Sequence, residues 1–343
     1  MIFTLKKFTL TDYAKLISAI LLIGVIIYKP SVCAVGAKYG LYISATILIP
    51  SLFPFAVPVL YILNTGLISR SKRPLLPVFL LSLTGGYPIG AKLLSELKSK
   101  KGLPSYNFKR YLPFCVGGGP AFIIIAVGKR ILKSAALGYI LFASHLLSSI
   151  LIMLIFARGI MNDRKVTLSG KTNITENNFA ESIKNASETS LYISAFVVFF
   201  SVINQYLSFY SAKFPIIKYF LYISEVSSAV MRTKNIYLIS FLLGFAGISI
   251  WIQIFSLAGS DKPRIFIFAL IRTLHGILSA LITAILIKLF KITVITLGNA
   301  QTISKRAFFN NITLSLSLLV MLLLLLINIT AKKHSGNLLK DVL

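Results

Sequence analysis

Two apolar stretches of this chain are broken by glycine and proline: Thr84-Gly85-Gly86-Tyr87-Pro88-Ile89-Gly90-Ala91-Lys92 and Phe114-Cys115-Val116-Gly117-Gly118-Gly119-Pro120-Ala121-Phe122. Each is too hydrophobic for a surface loop and too interrupted for a plain membrane helix. Helix breakers at membrane depth leave backbone groups without helical partners, at several kcal/mol per group. Such breaks persist only where the backbone is buried in protein or lines a polar cavity. That combination predicts a transporter or channel built from discontinuous helices.

The rest of the chain fits a membrane setting. Of its 343 residues, 56% are hydrophobic, against about 45–50% in a soluble domain. Thirty-six Lys and Arg face nine acids, a net charge of +27. The basic residues form short runs between apolar segments, such as Arg70-Ser71-Lys72-Arg73 and Lys129-Arg130. Headgroup-facing flanks look like this, and no separate basic domain exists to bind nucleic acid. Cys33 and Cys115 make neither a metal pattern nor a disulfide framework.

Windows of about 20 apolar residues predict an all-α, polytopic membrane protein. The spans fall at Lys15–Tyr28, Tyr39–Leu63, Leu75–Leu94, Tyr111–Gly128, Ser134–Phe156, Ser190–Tyr210, Phe214–Val230, Ile236–Leu257, Ile265–Phe290 and Thr313–Ile329. The first follows Lys6 and Lys7 and reads as a retained helix within residues 1–38, since no small-residue cleavage site follows cleanly. Tyr39–Leu63 carries Pro50, Pro54 and Pro58. It is either a kinked helix or a half-helix ending near Pro50.

A polar stretch, 158–189, separates two parts of similar plan, residues 39–157 and 190–290; its later part, from about Asn177, can form an amphipathic helix. Val116-Gly117-Gly118-Gly119-Pro120-Ala121-Phe122 is echoed by Leu243-Gly244-Phe245-Ala246-Gly247-Ile248-Ser249. Weak internal symmetry with paired interruptions is the sequence trace of inverted transporter repeats, with substrate held where the breaks meet. Residues 291–343 supply a loop, a last span and a basic tail.

No His-Glu-x-x-His, Gly-x-Ser-x-Gly or phosphate-loop motif is present, so an enzyme is not expected, nor a cofactor or bound metal. Charged groups inside apolar segments are functional candidates. Arg272 can take a carboxylate bidentately or snorkel to the headgroups. His275 shares its face. Glu225 is the one acid of its segment, suited to coordinate a cation, take a proton or pair with Arg272. Gln253 and Ser249 follow the Gly247 interruption, and Lys92 closes the first break as an anion contact or an interfacial anchor. His145 and Asn204 read as helix-to-helix bonding groups.

The string Gly86-Tyr87-Pro88-Ile89-Gly90-Ala91-Lys92, with Ser51-Leu52-Phe53-Pro54-Phe55, Gly119-Pro120-Ala121-Phe122 and Arg272-Thr273-Leu274-His275-Gly276, resembles the YlbJ-type sporulation integral membrane proteins of the wider Gate, or nucleoside-recognition, superfamily. The likeness runs from about Gly40 to Phe290. The chain departs from the family pattern at Gly117-Gly118, where a small polar pair is expected, and at Ala246-Gly247, where Gly-Gly is expected. The resemblance implies a multi-pass protein of the cell membrane, in that family the outer forespore membrane. It further implies transport of dipicolinic acid, a small aromatic dianion. Gly86, Tyr87, Pro88, Lys92, Gly118, Gly119, Pro120, Gly247, Ser249, Gln253 and Arg272 would then contact the anionic substrate. Glu225 and His275 would couple or gate, with a proton or sodium as coupling ion. A nucleoside-type carrier and a non-transporting scaffold are the alternatives, and no oligomeric state is assigned.

Overall fold

The computed structural model describes residues 9–70, 75–101, 103–156 and 178–290. The expected span Thr313–Ile329, the basic tail and most of the polar linker lie outside them. Every regular element among the described residues is helical.

Helix α1 (Leu10–Tyr28) leads into α2 (Pro30–Ile43), a π-helical turn (Ser44–Leu48) and α3 (Ile49–Asn64), which run on as one 35-residue helix. The expected boundary at Tyr39 falls inside α2. The three prolines therefore sit in a continuous helix. The π turn takes up the break, and Arg130 Nη1 donates to the carbonyl of Thr46, four residues before Pro50. That is the acceptor a proline N–H cannot serve. After the short α4 (Leu67–Arg70) come α5 (Leu75–Gly85) and α6 (Tyr87–Lys101). These two fold back on each other. A Cβ on Gly90 would lie 2.6 Å from the Cβ of Ser82, whereas eight residues of straight helix span about 12 Å. The predicted span Leu75–Leu94 is thus a helical hairpin whose tip is Gly86, at φ +95°.

Helix α7 (Ser105–Tyr111), an irregular 112–120 segment and a π-helix (Ala121–Ile131) follow, then α8 (Ala135–Phe156). The second half repeats the order: a long α9 (Asn178–Tyr210), a pair α10 (Ile216–Ser224) and α11 (Val226–Met231) split at Glu225, a pair α12 (Ile236–Phe245) and α13 (Ile248–Ala258) split at Ala246-Gly247, and a long α14 (Ile265–Leu289). The helical reading of the linker's end holds, since α9 begins at Asn178.

Among the described residues five helices are long and apolar enough to cross a membrane: Pro30–Asn64, Ala135–Phe156, Phe179–Tyr210, Ile236–Asp261 and Ile265–Leu289. The chain is a multi-pass membrane protein. Its long helices pair across the halves: α2 and α3 lie along α9, and α8 lies along α14. Gly36 and Gly40 allow the first pairing. Their Cβ positions would fall 2.7 and 2.6 Å from the Cα atoms of Val202 and Val198, the close approach that small residues give membrane helices.

Candidate functional site

The breaks dock on one another. In the first half, a Cβ on Gly119 would meet Thr84 O at 3.1 Å and Gly86 N at 3.4 Å, so the Gly-Gly-Gly-Pro segment lies against the hairpin tip. A Cβ on Gly118 would stand 2.9 Å from the Tyr87 hydroxyl. The Gly118 N–H donates to His145 Nε2 at 2.9 Å, so a side chain on α8 supplies an acceptor where the helix cannot. In the second half, Gly247 (φ +81°) presses on the Glu225 break, its Cβ position 3.1 Å from Val226 N.

Glu225 is extended (φ −148°, ψ 119°) and caps α11. Its carboxylate accepts from Ser227 N at 2.8 Å and Ser228 N at 2.6 Å. The Glu-x-Ser-Ser spacing was the readable signal for this cap. Asn204 of α9 braces the break, accepting from Ser224 Oγ at 2.7 Å and donating to Ser228 Oγ at 3.3 Å. Asn204 thus takes the helix-to-helix role expected of it, whereas the His145 ring bonds the irregular 112–120 segment.

Two side chains stitch the halves together. Tyr87 Oη donates to Leu243 O at 2.8 Å. Arg272 Nη1 donates to Val116 O at 2.7 Å, and Nη2 donates to Gly244 O. Arg272 therefore serves one carbonyl next to each glycine break. It is 1% exposed, so it does not snorkel.

A cavity of about 20 Å³ lies where the breaks meet. It is lined by Tyr87 and Pro88 from the hairpin tip, Glu225 and Ser227 from the second break, Gln253 from α13 and Phe122 from the π-helix. Leu48, Leu52, Ile193, Val197, Val226 and Ile250 close it, and of these lining groups Phe122, Ser227 and the aliphatic wall were not anticipated from sequence. First turns of α6, α11 and α13 reach this space, each with the positive end of its dipole. Gln253 is fully buried. Its Nε2 donates to Ser249 Oγ at 3.4 Å, while Oε1 has no partner.

Of the anticipated residues, Tyr87, Pro88, Glu225 and Gln253 share the cavity wall. Gly86, Gly118, Gly119 and Gly247 form the backbone packed around the breaks, Ser249 bonds Gln253, and Pro120 precedes the π-helix outside the wall. Lys92 is half-buried along α6, outside the wall, and Arg272 and His275 face a second, smaller cavity. Among the described residues no ion pair joins Glu225 to Arg272, since both Glu225 oxygens are held by backbone N–H groups.

No family model matches the chain, and no solved structure matches it. Among curated proteins it is similar to the sporulation integral membrane protein YlbJ of Bacillus subtilis (strain 168), at 22% identity across 78% of this chain and 80% of that protein. That similarity and the helical membrane architecture above agree with the resemblance to the YlbJ-type integral membrane proteins.

Proposed function

We propose that this chain is a membrane transporter, not an enzyme, and that it moves a small anionic solute during endospore formation. The resemblance names that solute as dipicolinic acid, and the outer forespore membrane as the place. The carrying observation is the cavity at the meeting of the breaks, where helix N-termini converge beside Gln253, whose Oε1 has no partner. Half-helix N-termini of this kind receive carboxylates in transporters with broken helices. Glu225 supports the reading by example: a carboxylate already sits there, held by two backbone N–H groups. The repeated order of elements supports inverted repeats moving against each other around the cavity, with a proton or sodium gradient, or none, as the drive.

One observation favours a second reading. The wall holds an acid and an amide, Glu225 and Gln253, while Arg272 stands behind it, which suits a neutral solute such as a nucleoside. Uptake of labelled dipicolinate and labelled uridine into proteoliposomes holding this chain alone separates the two. Dipicolinate uptake without uridine uptake is the expected result. The reverse establishes the nucleoside-type reading. Uptake of neither leaves the non-transporting scaffold as the better account. Gln253→Ala should lower uptake of the transported solute by roughly 5–30-fold, the worth of one buried hydrogen bond of about 1–2 kcal/mol.

A further inference from the structure

Arg272 is a positive charge buried inside a membrane protein, and among the described residues no carboxylate pairs with it. Its Nη1 and Nη2 are spent on the carbonyls of Val116 and Gly244, and its Nε has no partner. An uncompensated ion away from water costs several kcal/mol, and carbonyls return only partial charge.

The guanidinium borders a cavity of about 10 Å³ between α8 and α14, beneath Pro113 and Phe114. Ser149, Ile152, Ile271, Arg272 and His275 complete the lining. His275 Nε2 lies 3.2 Å from His145 O and 3.0 Å from Ser149 Oγ. A carbonyl only accepts, so Nε2 carries the hydrogen in that bond. Ser149 Oγ then accepts from the same ring edge and keeps its own hydrogen to donate. The lining thus includes the residue whose Nε–H is unpaired and a serine whose hydroxyl hydrogen is uncommitted, and none of its side chains is a carboxylate. Its size is that of about one water-sized sphere, too small for a carboxylate-bearing solute.

We propose that this second cavity binds a halide ion, chloride in the cell, as the counter-ion of Arg272. The ion neutralises the residue that ties the two halves together. The site is separate from the solute cavity, and the inference stands whether or not the chain transports dipicolinate.

The test is thermal unfolding of the full chain in detergent micelles, comparing sodium chloride and sodium bromide with sodium gluconate at constant ionic strength. Chloride and bromide should raise the midpoint by several degrees with saturation, and gluconate should not. Ser149→Ala, which removes the hydroxyl donor, should shift the half-saturating chloride concentration about tenfold upward, the worth of one hydrogen bond. Ser149→Val, which also fills the space, should abolish the response. Equal midpoints in chloride and gluconate would mean that water fills the cavity and would overturn the proposal. An unchanged halide response in both variants would place the ion elsewhere and overturn it too. If neither variant folds, anomalous scattering from bromide-soaked crystals of the wild type decides. A peak within hydrogen-bond reach of Arg272 Nε supports the site, and its absence rejects it.

Discussion

Ala246 is held at φ +74° and Gly247 at φ +81°. The left-handed region costs a residue bearing a Cβ about 1–2 kcal/mol, so the two neighbours respond oppositely to substitution. Ala246→Gly should stabilise the protein by about 0.5–1 kcal/mol, the strain relieved less the extra freedom of the unfolded chain. Gly247→Ala should destabilise it by about 1–3 kcal/mol, since the added methyl also crowds Val226 N. Unfolding midpoints of the two purified variants check both signs, and a loss in Ala246→Gly would show that its methyl packing outweighs the strain. Sequence marked this spot as a departure from the family pattern, but a residue name carries no dihedral. Arg272 was legible as a charge inside an apolar segment, either an anion contact or a snorkelling residue. Its partners were not, because Val116 O and Gly244 O are backbone acceptors brought near by folding, over separations of 156 and 28 residues. Arg272→Met should strand both carbonyls, at about 1–3 kcal/mol each, and sharply lower the yield of folded protein. Arg272→Lys should recover only part of it, one ammonium being unable to span both acceptors.

The helix Pro30–Asn64 absorbs its prolines through the π turn and the Arg130 bond to Thr46 O. Pro50→Ala restores the missing N–H. Arg130→Ala should therefore cost stability in the native sequence, but less in the Pro50→Ala background, with a coupling of about 0.5–1 kcal/mol. A double-mutant cycle on unfolding midpoints reads it, and additive effects would show that Arg130 does not substitute for the lost bond. Element existence was mostly open to sequence reading, because apolar length carries it: α8 and α14 fall close to their expected windows, and α9 joins the expected span Ser190–Tyr210 to the helical end of the linker. The direction of the chain at a break was not. Leu75–Leu94 has one composition whether it continues or reverses, and only the packing of Gly90 on Ser82 shows that it reverses.

Across the whole molecule the halves are pinned at several places. At one end Asp261, beyond α13, pairs with Lys98 of α6 and lies 3.6 Å from Lys109 of α7. Asp261→Asn should leave two lysines facing each other without a counter-charge and lower stability by about 1 kcal/mol at low salt. The deficit should narrow at high salt as the like charges are screened. Unfolding midpoints at two ionic strengths measure it, and a salt-independent deficit would point to packing instead. The bond from Arg272 to Val116 also has a consequence in time. Translation at about 5–20 residues per second makes Arg272 roughly 8–30 s after Val116, since 156 positions separate them. For that interval the triple-glycine segment sits in the bilayer with its carbonyl unserved. The nascent first half should therefore need shelter for that carbonyl until α14 arrives to serve it.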